Sequence, residues 1–166
     1  MRIDNLSELP EWDDHEFEDE DAKAESWKPN PTKLACKAMY QQWNTVLILL
    51  RAAFDSLKTP ADDAMFGPDY WDHHKDIIIS DAYEVGAKIK SSEAGLYIIR
   101  MENAAIIRKT AQFIYISMHS FVEEGIMEDM HRQIIRDEID KFRTLFKTWV
   151  ATFEKDDVED EWGLFI

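Results

Sequence analysis

The chain has 166 residues with 34 acidic and 19 basic side chains, a formal net charge of −15. That balance excludes a generally basic nucleic-acid binder and argues against attachment to an anionic membrane surface. The single cysteine, Cys36, excludes an intrachain disulfide and a thiolate zinc cluster.

The charge is unevenly placed. Residues 1–28 hold 11 acids and 3 bases, and residues 154–166 hold 6 acids and 1 base. The body between them, 29–153, holds 17 acids and 15 bases. This divides the chain into an acidic, extended or mobile segment (1–28), a helical domain (29–153) and an acidic tail (154–166) ending in an apolar pentapeptide. Residues 11–25 are charged enough to be expected to stay unpacked and mobile. The N-terminus lacks the charged-then-apolar pattern of a secretory leader, and the aliphatic run Val46 to Leu50 is far short of the ~20 residues a bilayer requires. With one free thiol, these features point to a soluble cytoplasmic protein.

The spacing predicts four amphipathic helices. The first covers about 32–58, between Pro31 and Pro60, with Leu34, Met39, Trp43, Val46, Leu47, Leu50, Phe54 and Leu57 on its apolar face. The second covers about 69–90, with Asp69 expected as N-cap and Trp71, Ile78, Ala82, Val85 and Ile89 facing the core. Gly95 and Ser91-Ser92 loosen residues 90–95, where either a reversal or one continuous helix is compatible with the sequence.

The third helix covers about 92–122 and is apolar on two sides. Leu96, Ile107, Ala111, Ile114, Met118 and Val122 form one side, and Ile98, Ile99, Ile106, Phe113 and Ile116 the other. Such a helix needs covering twice. The candidate covers are the N-terminal segment around Trp12 to Trp27 and a second copy of the chain. The fourth helix covers about 126–153, with Met127, Ile135, Phe142, Leu145, Phe146, Trp149 and Phe153 inward. No segment alternates with period two. The expected fold is all-α, an up-down-up-down antiparallel four-helix bundle with acidic N- and C-terminal tails.

Antiparallel register arithmetic brings His73, His74, His119 and His131 to one end of that bundle. Glu128 lies one turn before His131, and Asp55 is nearby. Imidazole and carboxylate are the ligands of zinc, nickel and iron, so His74, His119, His131 and Glu128 form a candidate site for a divalent transition metal, conceivably hydrolytic. Without a metal, no cofactor is implied. The di-iron pattern of paired Glu-x-x-His helices is absent, and so are a nucleophile–base constellation and a phosphate-cradling glycine loop. The catalytic residues are therefore unknown, and the balance leans away from an enzyme.

Glu138 falls on the inward face of the fourth helix, one turn in register from Arg108, and a Glu138–Arg108 contact is expected because a lone buried carboxylate is costly. Asp81 and Glu102 border apolar faces and are expected to pair with neighbours. Arg132, Arg136, Arg143 and Lys147 recur along one stripe of the fourth helix. They face two tails that mix acids with aromatics, and Trp162, Leu164, Phe165 and Ile166 are expected to dock in a groove of this bundle or of a partner subunit. The functional expectation is a non-enzymatic protein-interaction or self-association module, as a homodimer or with another protein, with no nucleic acid and no membrane.

Overall fold

A computed structural model describes residues 8–16 and 28–165. Among them are four α-helices and no strand: α1 (Pro31–Asp55), α2 (Pro68–Ser91), α3 (Tyr97–Glu123) and α4 (Asp129–Val150). α1 packs on α2 and α4, and α3 packs on α2 and α4, so the helices form a closed ring around one core.

The helix ends follow local chemistry. Asn30 caps α1, its side chain accepting from Lys33 N at 2.9 Å, and Pro31 occupies the first turn where no donor is needed. α2 starts on Gly67-Pro68. The N-cap is Gly67, not Asp69, which instead sits in the first turn and complements the positive end of the helix dipole. The 90–95 question resolves as a reversal. α2 stops at Ser91, and Gly95 has φ +117, a left-handed conformation that glycine adopts without steric cost. The first backbone N–H of α3, at Tyr97, donates to Asp156 Oδ2 at 2.8 Å. A side chain of the segment after α4 thereby satisfies the start of α3.

Neighbouring helices are tied at named points. Cys36 Sγ donates to Ile89 O at 3.1 Å and Trp43 Nε1 to Ala82 O at 2.7 Å. The Trp43 and Phe142 rings lie 4.7 Å apart, and Trp71 and Phe121 5.0 Å apart. Lys58 N donates to Ile126 O, joining the first and third connections.

The core holds the inward residues expected for α2: Trp71, Ile78, Ala82, Val85 and Ile89 are all buried. Leu34 is a correction, being 66% exposed. It lies two residues before the fully buried Cys36, which at ~100° per residue places it on the opposite face. Residues 8–16 also pack, forming a strap across α1 and α2 where charge alone argued for a mobile segment. Leu9 N donates to Asn44 Oδ1, Tyr40 Oη donates to Pro10 O, and Trp12 meets Tyr40 edge-on at 5.3 Å. The rest of the acidic N-terminal segment, including Phe17 and Trp27, lies outside the described residues.

At the α2–α3 corner sits a buried carboxylate that the sequence did not single out. Glu93 pairs with Lys90 at 2.6 Å and with Lys33 at 3.3 Å. Lys90 also reaches Glu16 of the strap and lies 3.9 Å over the Trp12 ring. Beside it, buried Asn103 donates to Ser92 Oγ at 2.9 Å.

Leu47→Ala should cost ~2–5 kcal/mol in a urea titration, because it opens a cavity at a fully buried site, whereas Leu34→Ala should stay within ~0.5 kcal/mol. Burial pushes the Cys36 thiol up to about 12, with Glu93 adding to the effect. Cys36 should therefore resist a thiol reagent in the folded chain and react at once in denaturant.

Candidate interaction surfaces

The four residues nominated for a metal are held apart. His74 lies in the seam between α2 and α3, its ring 5.3 Å from Phe121 and 6.5 Å from Phe113. His119 is on the outside of α3, with Nδ1 3.0 Å from Arg132 Nη1 and Nε2 3.1 Å from Glu123 Oε1. His131 lines a cleft of about 200 Å³ between α1 and α4, beside Leu49, Ala52 and Ile134. Glu128 pairs with Lys58. Among the described residues, no group of three His, Cys, Asp or Glu side chains converges to hold a metal ion. Register arithmetic gives depth along a bundle but not the seam into which a side chain turns, and His74 and His131 turn into different seams.

The same limit explains the correction at Glu138. It turns toward α1, where it accepts from Gln42 Nε2 at 2.6 Å, and it also binds Lys141. These two partners, Lys141 foremost, hold its carboxyl below the usual range. Arg108 is exposed and lines the opposite seam, between α3 and α4. Asp81 is half-buried, and burial with the nearby Glu84 pushes its carboxyl up, the reverse of what a cationic partner does.

Two outer seams carry unusual surfaces. The first is that of α2 and α3. The inner side of α3 is buried at Ile107, Ala111, Ile114 and Met118, whereas Leu96, expected on that side, precedes the helix as its N-cap and is 46% exposed. Its second apolar side is left in water, with Ile99 45%, Phe113 40% and Ile116 57% exposed. The patch continues onto α2 through exposed Ile77 and Tyr70, and Tyr70 stacks on Phe66 with centroids 4.1 Å apart. The described part of the N-terminal segment lies on α1 and α2 instead, so it does not cover this patch.

The second surface is the seam of α3 and α4, the location of the basic stripe. The stripe does not simply point to solvent. Arg136 Nε donates to Tyr115 O at 3.2 Å and its guanidinium lies 4.6 Å from the Tyr115 ring centre. Arg143 pairs with Asp140 at 2.5 Å, lies 5.2 Å from the same ring and reaches Gln112. Arg132 binds Asp129 and His119, while Lys147 is exposed. Tyr115 thus sits between two guanidinium groups, a role that only its spacing from α4 in the fold could reveal. Between the helices runs a shallow cleft of about 50 Å³ lined by Arg108, Ala111, Gln112, Ile139, Phe142, Arg143 and Phe146.

Trp162 and Leu164 of the tail stand away from the bundle. Trp162 is 94% and Leu164 70% exposed, and Phe165 is half-buried. Ile166 lies outside the described residues. Asp160 organises this segment, its carboxylate accepting from the backbone N–H groups of Trp162, Leu164 and Phe165 at 3.1, 2.7 and 2.9 Å. Among the described residues, no helix is long and apolar enough to cross a membrane. No protein-family model, curated protein or solved structure matches the chain.

Burial, and secondarily His73, lowers the pKa of His74 below the ordinary 6.5. A base with a depressed folded pKa binds fewer protons folded than unfolded, so stability falls as pH drops through 6.5 toward the folded value. His74→Gln should flatten the pH dependence of the urea midpoint in that window, and the His74 ring should titrate below 6.5 by NMR.

Proposed function

We propose that this chain is a self-associating four-helix bundle that acts by binding rather than by chemistry of its own, and that its partner is a second copy docked on the outer side of α3. The helices are read as running up-down-up-down. Supporting this, early residues of each helix meet late residues of the next, as in the pairs Cys36–Ile89 and Trp43–Ala82. Trp71–Phe121 follows the same rule, and His119–Arg132 joins the end of α3 to the start of α4. The buried thiol of Cys36 supports a reducing, cytoplasmic setting.

The observation that carries the reading is the exposed stripe on α3. Contiguous apolar surface left in water marks an interaction site, whereas scattered apolar residues do not. The pattern of the stripe also selects the partner. Ile99, Ile106 and Phe113 recur every seven residues, and Glu102, Lys109 and Ile116 follow each by three. That is the spacing of a short coiled-coil seam, with charged Glu102 and Lys109 at two of its three second positions. It is self-complementary under a two-fold axis. Antiparallel pairing sets Ile99 against Ile116 of the second copy and Phe113 against Glu102. Glu102 then lies within one turn of the second copy's Lys109, so the only two charges of the stripe meet with opposite sign. The seam offers no basic face to phosphates, which supports a protein partner over nucleic acid.

Sedimentation velocity across micromolar concentrations should show the native chain self-associating and Ile116→Glu doing so at least about tenfold more weakly, with helicity and unfolding midpoint of the diluted variant unchanged. Glu102→Lys and Lys109→Glu should each weaken the dimer, and the double variant should restore it. A native chain that sediments as a monomer would overturn the reading.

A further inference from the structure

The segment after α4 has the features of a docking arm, and the cleft between α3 and α4 has those of its receptor. We infer that the arm around Trp162 of one copy binds the Arg108–Arg143 cleft of another copy. This uses a different face from the α3 stripe and shares with the preceding reading only the identity of the partner.

The arm is pre-organised. Three backbone N–H groups converge on the Asp160 carboxylate, and Gly163 takes φ +67 to close the turn. The bond from Phe165 is the main reason the Asp160 carboxyl is held below the ordinary range, so the turn keeps its charge at neutral pH. Asp156 ties the root of the arm to the start of α3. A turn built this way presents Trp162 and Leu164 outward with much of their ordering cost already met. Trp162 is 94% exposed and makes no packing contact with its own core. Trp162 does not rest in its own cleft, which is why the receptor is assigned to another copy.

The cleft has an apolar floor and a cationic edge, the two features an acidic aromatic arm would meet. Its floor is Ile139, Phe142 and Phe146, and Arg108 and Arg143 stand at its edges. It is shallow, so an indole lies flat across the floor with a guanidinium over its face, an arrangement that favours Trp above other side chains. Glu159 and Glu161 flank the arm with negative charge, and exposed Arg108 offers the cleft's positive edge, since Arg143 already pairs with Asp140. Opposite charges set approach and orientation, and the aromatic contact sets the lifetime of the complex.

The test uses two full-length variants, both carrying Ile116→Glu so that α3 pairing is silent. One has its arm disabled by Trp162→Ser and Leu164→Ser. The other has its cleft reversed by Arg108→Glu and Arg143→Glu. Fluorescence anisotropy of one dye-labelled variant titrated with unlabelled chain should show the two variants binding each other at least about tenfold more tightly than either binds itself. Adding Glu159→Lys and Glu161→Lys to the arm of the cleft-reversed chain should restore its self-association. Equal binding in all combinations, or none, overturns the proposal. So does a chain carrying Ile116→Glu alone that stays monomeric with Trp162 shielded from acrylamide at every concentration, since the arm would then bind its own cleft. Because Ile116→Glu is present throughout, failure here leaves the α3 reading standing, and an arm–cleft complex formed in this background stands whether or not α3 pairs.

Discussion

A helix in a four-membered ring can bury the stripe that faces the core and little more. That constraint governs this molecule. Each helix touches two neighbours, and the inner side of α3 fills its share of the core with Ile107, Ile114 and Met118. Nothing in the ring can reach the opposite side, so Ile99, Phe113 and Ile116 remain in water. The cost of leaving large apolar groups exposed is ~1.5–3 kcal/mol each when fully exposed. Their heptad spacing, with one acid and one base between them, is what the proposed contact with a second copy rests on.

The α2–α3 corner fixes where that stripe points. Glu93 is buried and satisfied by Lys33 from α1 and Lys90 from α2, so one carboxylate links the start of α1 to the end of α2 just before α3 begins. A buried carboxylate that loses a partner leaves a costly uncompensated charge. Lys90 further holds the strap through Glu16 and Trp12, and Leu9 of the strap packs on Gly86 so closely that a Cβ there would come within 2.5 Å of Leu9 Cδ2. The strap therefore belongs to the α1–α2 face, and the α2–α3 face stays open.

Much of this was legible in the sequence, and the exceptions share a cause. Periodicity located the four helices and the two-sided character of α3, because both depend only on spacing along one chain. The α2 core face came out whole for the same reason. Leu34 failed because it was counted by apolarity and not by phase. The metal site and the Glu138–Arg108 pair failed because depth along a bundle says nothing about which seam a side chain enters. His131 and Glu138 turn toward α1, and Arg108 toward α4. Glu93, Tyr115 and Asp160 were invisible because each acquires its role from residues far away in sequence or from backbone geometry in a turn.

The central claim, that a second copy covers the outer side of α3 in antiparallel register, is tested most directly by site-specific cross-linking. Ile99→Cys and Ile116→Cys are placed in separate full-length chains, mixed under mild oxidation and resolved by non-reducing electrophoresis, with buried Cys36 silent. The account predicts a disulfide between the two variants, since pairing sets these positions face to face, and slow or no cross-linking of either alone, since like positions are then ~25 Å apart. Cross-linking of Ile99→Cys to itself as readily as to Ile116→Cys, or no cross-link in the mixture, would contradict it.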